Sequence, residues 1–300
     1  MSSETIIFGL QAAARVAWYV ATFALLGSFG VDLVAARVGS GSDKSTSAAF
    51  TKRVALLAAL LLAVITIGRL FLQTYAVFGI DEGVTAEGVR IVAFETSWGA
   101  GWRWQIVAAF FAIVMTAIAT RRTGWLALPG LAALFVCVTV PLTGHAVAES
   151  WPGLWVSVQA IHVAGAGVWL GTLSLMLFLL LSKTTRVAHG SPSTWVDTFS
   201  PLALTGASIV MLSGLLTTVG YLDAVSELWA TAYGRVLVLK VALVGAVVGC
   251  GAYNWRRVRP LLPKTGGLEG LRRWVLAELA FAALVIGVTG ALVALNKGGE

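Results

Sequence analysis

Two histidines, one cysteine and a few charged side chains stand in stretches of this sequence that are otherwise almost wholly apolar. His162 lies in Gln159-Ala160-Ile161-His162-Val163-Ala164-Gly165-Ala166-Gly167, just before Trp169 and Gly171. A neutral imidazole offers one lone-pair nitrogen to a metal while its other nitrogen holds a neighbour. The run of small residues after it lets another helix approach closely. The functional reading of His162 is therefore a metal ligand lining an interhelical cavity. The plainer alternative is a hydrogen bond that ties two helices together. His145 follows Pro141-Leu142-Thr143-Gly144, and Pro141 loosens a helix and frees backbone carbonyls. An imidazole there can collect a metal from the adjoining water, or it can be a solvated loop histidine. At 1.5 Å per residue the two histidines differ in depth by around 10 Å, which suits two stations along one path better than one shared metal.

Other residues are accessory to these two. Cys137 lies two helical turns before His145 and on much the same face. A thiolate there suits soft Cu(I), but a small buried core residue is the commoner use of such a cysteine. Met211 is a further soft donor, yet no M-x-x-x-M pair appears. Arg235 and Lys240 follow one another on a single apolar stretch; Arg235 can snorkel to the interface, while Lys240 lies deeper and needs a partner. Such a cation can attract an anion, set the charge balance of a cation path, or tie backbone carbonyls. Arg15 and Arg69 read the same way. Glu278 either releases a cation inward or pairs with Arg272 or Arg273, and pairing is the reading favoured here. Glu149 and the other acids beside it form an acidic surface. His189 falls in a basic loop and reads as solvated. There is no Walker A motif and no catalytic constellation, so the chain reads as a non-enzyme that does not itself hydrolyse ATP.

The elements that must position these groups follow from composition. Apolar residues make up 58% of the chain and charged residues 12%, with 300 residues in all. A soluble domain carries about 25% charged residues, so lipid is the solvent for most of this sequence. Disordered, nucleic-acid-binding and disulfide-scaffold classes are excluded. Eight apolar stretches approach the length that crosses about 30 Å of hydrocarbon. They lie near 7–36, 54–79, 102–120, 125–146, 153–181, 200–221, 233–255 and 274–295. Helix is their only sensible state, being too long and too continuously apolar for membrane strands. The expectation is one all-α polytopic bundle of eight transmembrane helices over 1–300, with no soluble domain and no cleaved signal peptide.

The connections alternate in charge. Arg37, Lys52, Arg53, Arg121, Arg122, Arg256, Arg257, Arg259, Arg272 and Arg273 belong to one set of loops. Glu87, Glu95, Glu149, Asp223 and Glu227 belong to the other. The positive-inside rule makes the first set cytoplasmic and leaves both termini outside. Most tryptophans fall at the ends of spans, Trp195 among them, as an interfacial belt; Trp18 and Trp169 fall within spans. The formal charge of +7 is then explained by topology.

Several passages together resemble the copper resistance protein D family of bacterial inner-membrane proteins. They are Glu95-Thr96-Ser97-Trp98-Gly99-Ala100-Gly101-Trp102, Thr143-Gly144-His145-Ala146, and Ile161-His162-Val163-Ala164-Gly165-Ala166-Gly167-Val168-Trp169-Leu170-Gly171. Further along come Ser213-Gly214, Tyr233-Gly234-Arg235 with Lys240, then Asn254 and Glu278. The resemblance covers nearly the whole chain and implies eight spans. It implies copper movement across the cytoplasmic membrane toward the cytoplasm, with a separate periplasmic copper-binding protein as partner. On that reading His145 captures copper and His162 passes it inward, in a multi-pass protein surrounded by membrane lipids. Two rivals stand beside it: a redox protein whose histidines ligate haem b, and a copper-binding sensor or partner without net transport.

Overall fold

The computed structural model describes residues 3–38, 41–82, 84–121, 127–181, 192–221, 224–262 and 267–294. His189, Lys183 and Arg186 lie outside these residues, and of His145 the backbone alone is described. Among the described residues every regular element is helical. Helix α1 covers Ser3–Val38, α2 Gly41–Glu82, α3 Ala86–Phe94, α4 Ser97–Arg121 and α5 Ala127–Thr139. Helices α6 (Pro152–Ala166) and α7 (Thr172–Leu181) are two parts of one rod, joined by a π-helical turn over Gly167–Gly171. Then come α8 (Pro192–Tyr221), the short α9 (Glu227–Ala230), α10 (Ala232–Tyr253) and α11 (Gly267–Ala294).

Among the described residues seven helical stretches are long and apolar enough to cross a membrane. The expected fourth span is the shorter one, Ala127–Thr143. It is α-helical to Thr139 and 3₁₀-helical over Val140–Thr143. At 1.5 Å per α residue and 2.0 Å per 3₁₀ residue it reaches about 28 Å, close to the hydrocarbon thickness. Proline causes the change of helix type, because Pro141 has no N–H to donate into the preceding turn.

The first helices pack around alanine. Ala21, Ala55, Ala58, Ala59, Ala108, Ala112, Ala132 and Ala133 form one buried cluster with Trp18, Leu25, Leu62 and Cys137. Without a hydrophobic drive between helices in lipid, such small residues provide the close van der Waals contact that holds them. Glycine brings the rod of α6 and α7 against α1: a Cβ added at Gly171 would lie 2.1 Å from the Phe23 carbonyl oxygen. A second buried cluster gathers Val31, Trp169, Leu173, Met176, Trp195, Phe199, Val247 and Val275 from both halves of the chain. Trp195 is 2% exposed, so it is a core residue and not part of the interfacial belt expected for it. Trp104, Trp151, Trp229 and Trp255 are exposed, as a belt requires. The acidic surface is partly neutralised, since Arg90 pairs with both Glu87 and Glu95 at 2.7 and 2.8 Å.

Candidate functional site

His162 lies where α6 crosses α8. The crossing is close because glycine meets glycine: a Cβ on Gly165 would lie 3.1 Å from the Gly206 carbonyl oxygen, and one on Gly206 would lie 2.9 Å from that of Gly165. One turn from Gly165, His162 Nδ1 lies 2.9 Å from Ser213 Oγ. The Ser213 hydroxyl has one proton, and it donates that proton back to the Ile209 carbonyl. Ser213 Oγ is therefore the acceptor, and the network assigns the imidazole proton to Nδ1. With its one proton on Nδ1, the neutral imidazole keeps its lone pair on Nε2. Hydrogen-bond acceptors on the far nitrogen impose the same kind of tautomer on metal-binding histidines. Gly214 leaves space beside the ring, where a Cβ would lie 3.4 Å from Cε1.

Lys240, on α10, lies within electrostatic reach of His162. Among the described residues no ion pair reaches it. The titratable group that Lys240 meets on this side is thus an imidazole, and not a carboxylate. Arg235, one turn nearer the helix start, is exposed, as snorkelling requires. Glu149 lies in the turn before α6, within electrostatic reach of Tyr233.

Met211 is 48% exposed and points away from the bundle, because α8 turns Val210, Ser213 and Gly214 toward His162. Cys137 is 1% exposed inside the alanine-rich cluster, the plain structural use of a small apolar side chain. Among the described residues no three of His, Cys, Asp and Glu gather as a metal cluster. The backbone of His145 lies in a 3₁₀ turn, His145–Val147, directly after Gly144. Its side chain lies outside the described set.

The carbonyls left over at the end of the Ala127–Thr143 span are captured. Gln105, buried in the apolar span of α4, donates from Nε2 to the Thr139 carbonyl at 3.0 Å and lies 3.5 Å from that of Val140. Its Oε1 accepts from Arg69 Nη1 at 2.7 Å, and Arg69 Nη2 donates to Thr143 Oγ1 at 3.1 Å. The turn that carries His145 is thereby tied to α2 and α4.

A second polar centre lies deeper. Glu278 is 3% exposed, and it does not pair with Arg272 or Arg273, which are both exposed. Instead Asn254 Nδ2 donates to Glu278 Oε2 at 3.1 Å, and the Trp169 indole donates as well. Both donors stand on π turns, Trp169 in Gly167–Gly171 and Asn254 in Asn254–Val258. A π turn inserts a residue into a helix and re-aims its side chains, often at functional sites. Cys250, one turn before Asn254, is within electrostatic reach of the same carboxylate. Sequence reading missed the roles of Ser213, Gln105 and Cys250. Gln105 was open to discovery, since an amide inside an apolar span needs a partner as a charge does.

Comparison with known proteins bears directly on this arrangement. The family model described as copper resistance protein D matches residues 193–292. That described as the copper resistance protein D-like N-terminal domain matches residues 6–154. The chain belongs to the copper resistance protein D family. The copper resistance protein D of Pseudomonas syringae pv. tomato is 27% identical over 307 aligned residues, covering 96% of each chain. The copper transport protein CutJ of Bacillus subtilis is 29% identical over 207 residues, covering 66% of this chain but only 37% of CutJ. The chain thus matches well under half the length of that relative. No solved structure matches. The family's descriptions are of copper resistance and transport, and the haem b reading gains nothing from them.

Proposed function

We propose that this chain moves copper across the bacterial cytoplasmic membrane toward the cytoplasm, and that His162 is its main ligand within the bilayer. The observation that carries the reading is the hydrogen bond from His162 Nδ1 to Ser213 Oγ at 2.9 Å. It holds the ring and leaves Nε2 free as a donor suited to copper. In this reading the eight apolar segments all cross, and His145 receives copper from a separate periplasmic copper-binding protein. A copper ion at His162 and an ammonium at Lys240 repel each other. That repulsion keeps the ion from resting there, as conduction requires a site weak enough to leave. Counting 1.5 Å per residue from the span midpoints, Glu278 lies about 11 Å further inward. Its carboxylate and the thiol of Cys250 form the next station on the way in.

The test is copper uptake into vesicles reconstituted with purified protein, with bound copper and the optical spectrum recorded on the same samples. The wild type takes up copper saturably. His162→Ala loses both uptake and stoichiometric copper, whereas Glu278→Gln keeps copper at His162 and slows uptake. Normal uptake by a properly inserted His162→Ala protein would sink the proposed route. Saturable binding without flux would instead make the protein a sensor or partner, and a Soret band lost with His162 would make it a haem protein.

A further inference from the structure

Away from the residues proposed for copper, two arginines converge with no carboxylate between them among the described residues. Arg15 on α1 and Arg69 on α2 line a small, partly open cavity together with Gln11, Leu72, Gln73 and Trp98. Both lie about 9–10 Å from the middle of their spans at 1.5 Å per residue, on the side of the N-terminus. Arg69 is well held, by Gln105, by Thr143 and by the Trp98 ring, whose centre is 5.8 Å from its guanidinium carbon. Arg15 is not: its Nη1 is buried and has no hydrogen-bond partner. The two guanidinium groups are close enough to oppose one another electrostatically. Tyr19 is the acid within reach of both, and a phenol is neutral at physiological pH. Two guanidinium charges in a bilayer, with nothing negative beside them, are costly.

We propose that the Arg15–Arg69 cavity is a binding site for a monovalent anion of halide size. An anion satisfies the orphaned N–H of Arg15 and offsets both charges at once. A water molecule would do only the first. The cavity's ≈ 10 Å³ is about the room of one water molecule, which favours a single small ion over a phosphate or a carboxylate. The lining offers guanidinium and amide N–H donors, with Gln11 Nε2 already donating to Gln73 Oε1 at 3.2 Å. Occupancy would pin α1 to α2 and, through Arg69, steady the turn that carries His145. The site is independent of the copper reading and stands or falls separately from it.

The experiment uses the purified wild-type protein in detergent, first in halide-free gluconate buffer and then titrated with sodium chloride or bromide at constant ionic strength. The melting temperature is expected to rise with halide and to follow the saturable logarithmic law of a bound ligand. Sulfate at equal ionic strength is expected to produce no rise. Arg15→Gln removes the uncompensated charge, so it should melt no lower than the wild type in gluconate and ignore chloride. A wild type indifferent to halide would overturn the proposal, as would an Arg15→Gln protein that responds to chloride like the wild type. Should that variant fail to fold, radiolabelled chloride bound to the wild type decides the matter: one saturable site per chain upholds the proposal, and none overturns it.

Discussion

The helices at the two ends of this chain treat their polar residues in opposite ways. In α1, 56% of the most apolar stretch is buried inside the bundle, and in α2 44%. Their buried polar side chains bind one another: Trp18 to Thr66, Trp102 to the Thr66 carbonyl, and Arg69 to Gln105 and Thr143. The stretches Pro192–Gly220 and Ala232–Leu261 are each only 17% buried, yet Lys240 and the serine that holds His162 stand on them. Ionisable groups there meet an imidazole, an amide and an indole in place of opposite charges. Apart from Arg15, the first region spends these buried polar groups on structure. The second holds its ionisable groups with neutral partners, which leave their charge or lone pair available to an ion passing from one to the next.

That contrast can be broken by moving the effects of mutation between the regions. Gln105→Leu should be the costliest change. It strips a hydrogen bond from a buried guanidinium and leaves the Thr139 carbonyl unpaired, a loss of about 3–5 kcal/mol when both are counted. A thermal melt in detergent should show it, and an unchanged melting temperature would mean the network is not structural. Gly171→Ala should cost about 1–3 kcal/mol, because its methyl meets backbone that cannot step aside. The same melt should record that loss as a lower midpoint. Ser213→Ala should cost less, about 1 kcal/mol for the imidazole N–H left unpaired, but weaken copper binding by roughly 10–100-fold, the usual effect of removing a group that orients a metal ligand. Copper titration reads that effect, and equal affinities would remove Ser213 from the site.

The smallest effect is at the surface. The hydrogen bond from Arg90 holds the exposed Glu87 carboxyl below its ordinary range. A depressed carboxylate stabilises the fold above its unfolded value of about 4.3 and loses that contribution as pH falls through the folded value. Arg90→Ala should therefore lie slightly below the wild type in stability at neutral pH and converge with it in acid. Acid-induced unfolding followed by circular dichroism checks this, and high salt should erase the difference.

Much of the fold could be read from hydropathy, because in lipid every backbone group must be satisfied within a helix and apolar length then sets each span. The Pro141 break and the close approach at Gly165 were equally open to reading, since each depends on one residue's covalent geometry. Pairings between distant spans were not. Ser213 lies 51 residues from His162, and nothing in its local sequence marks it as a partner. Glu278 was misassigned to Arg272 or Arg273 for the same reason: those arginines are near in sequence, but Asn254 and Trp169 reach it through π turns that hydropathy does not reveal. Trp195 went astray because belt position and core position look alike when only distance from a span end is known.

The most direct test of the account is X-ray absorption at the copper edge on copper-loaded protein, wild type beside His162→Ala. The account predicts an imidazole nitrogen ligand in the wild type that is missing from the variant, with Ser213→Ala keeping that nitrogen at lower occupancy. A wild-type spectrum without imidazole scattering, or one that survives unchanged in His162→Ala, would contradict it.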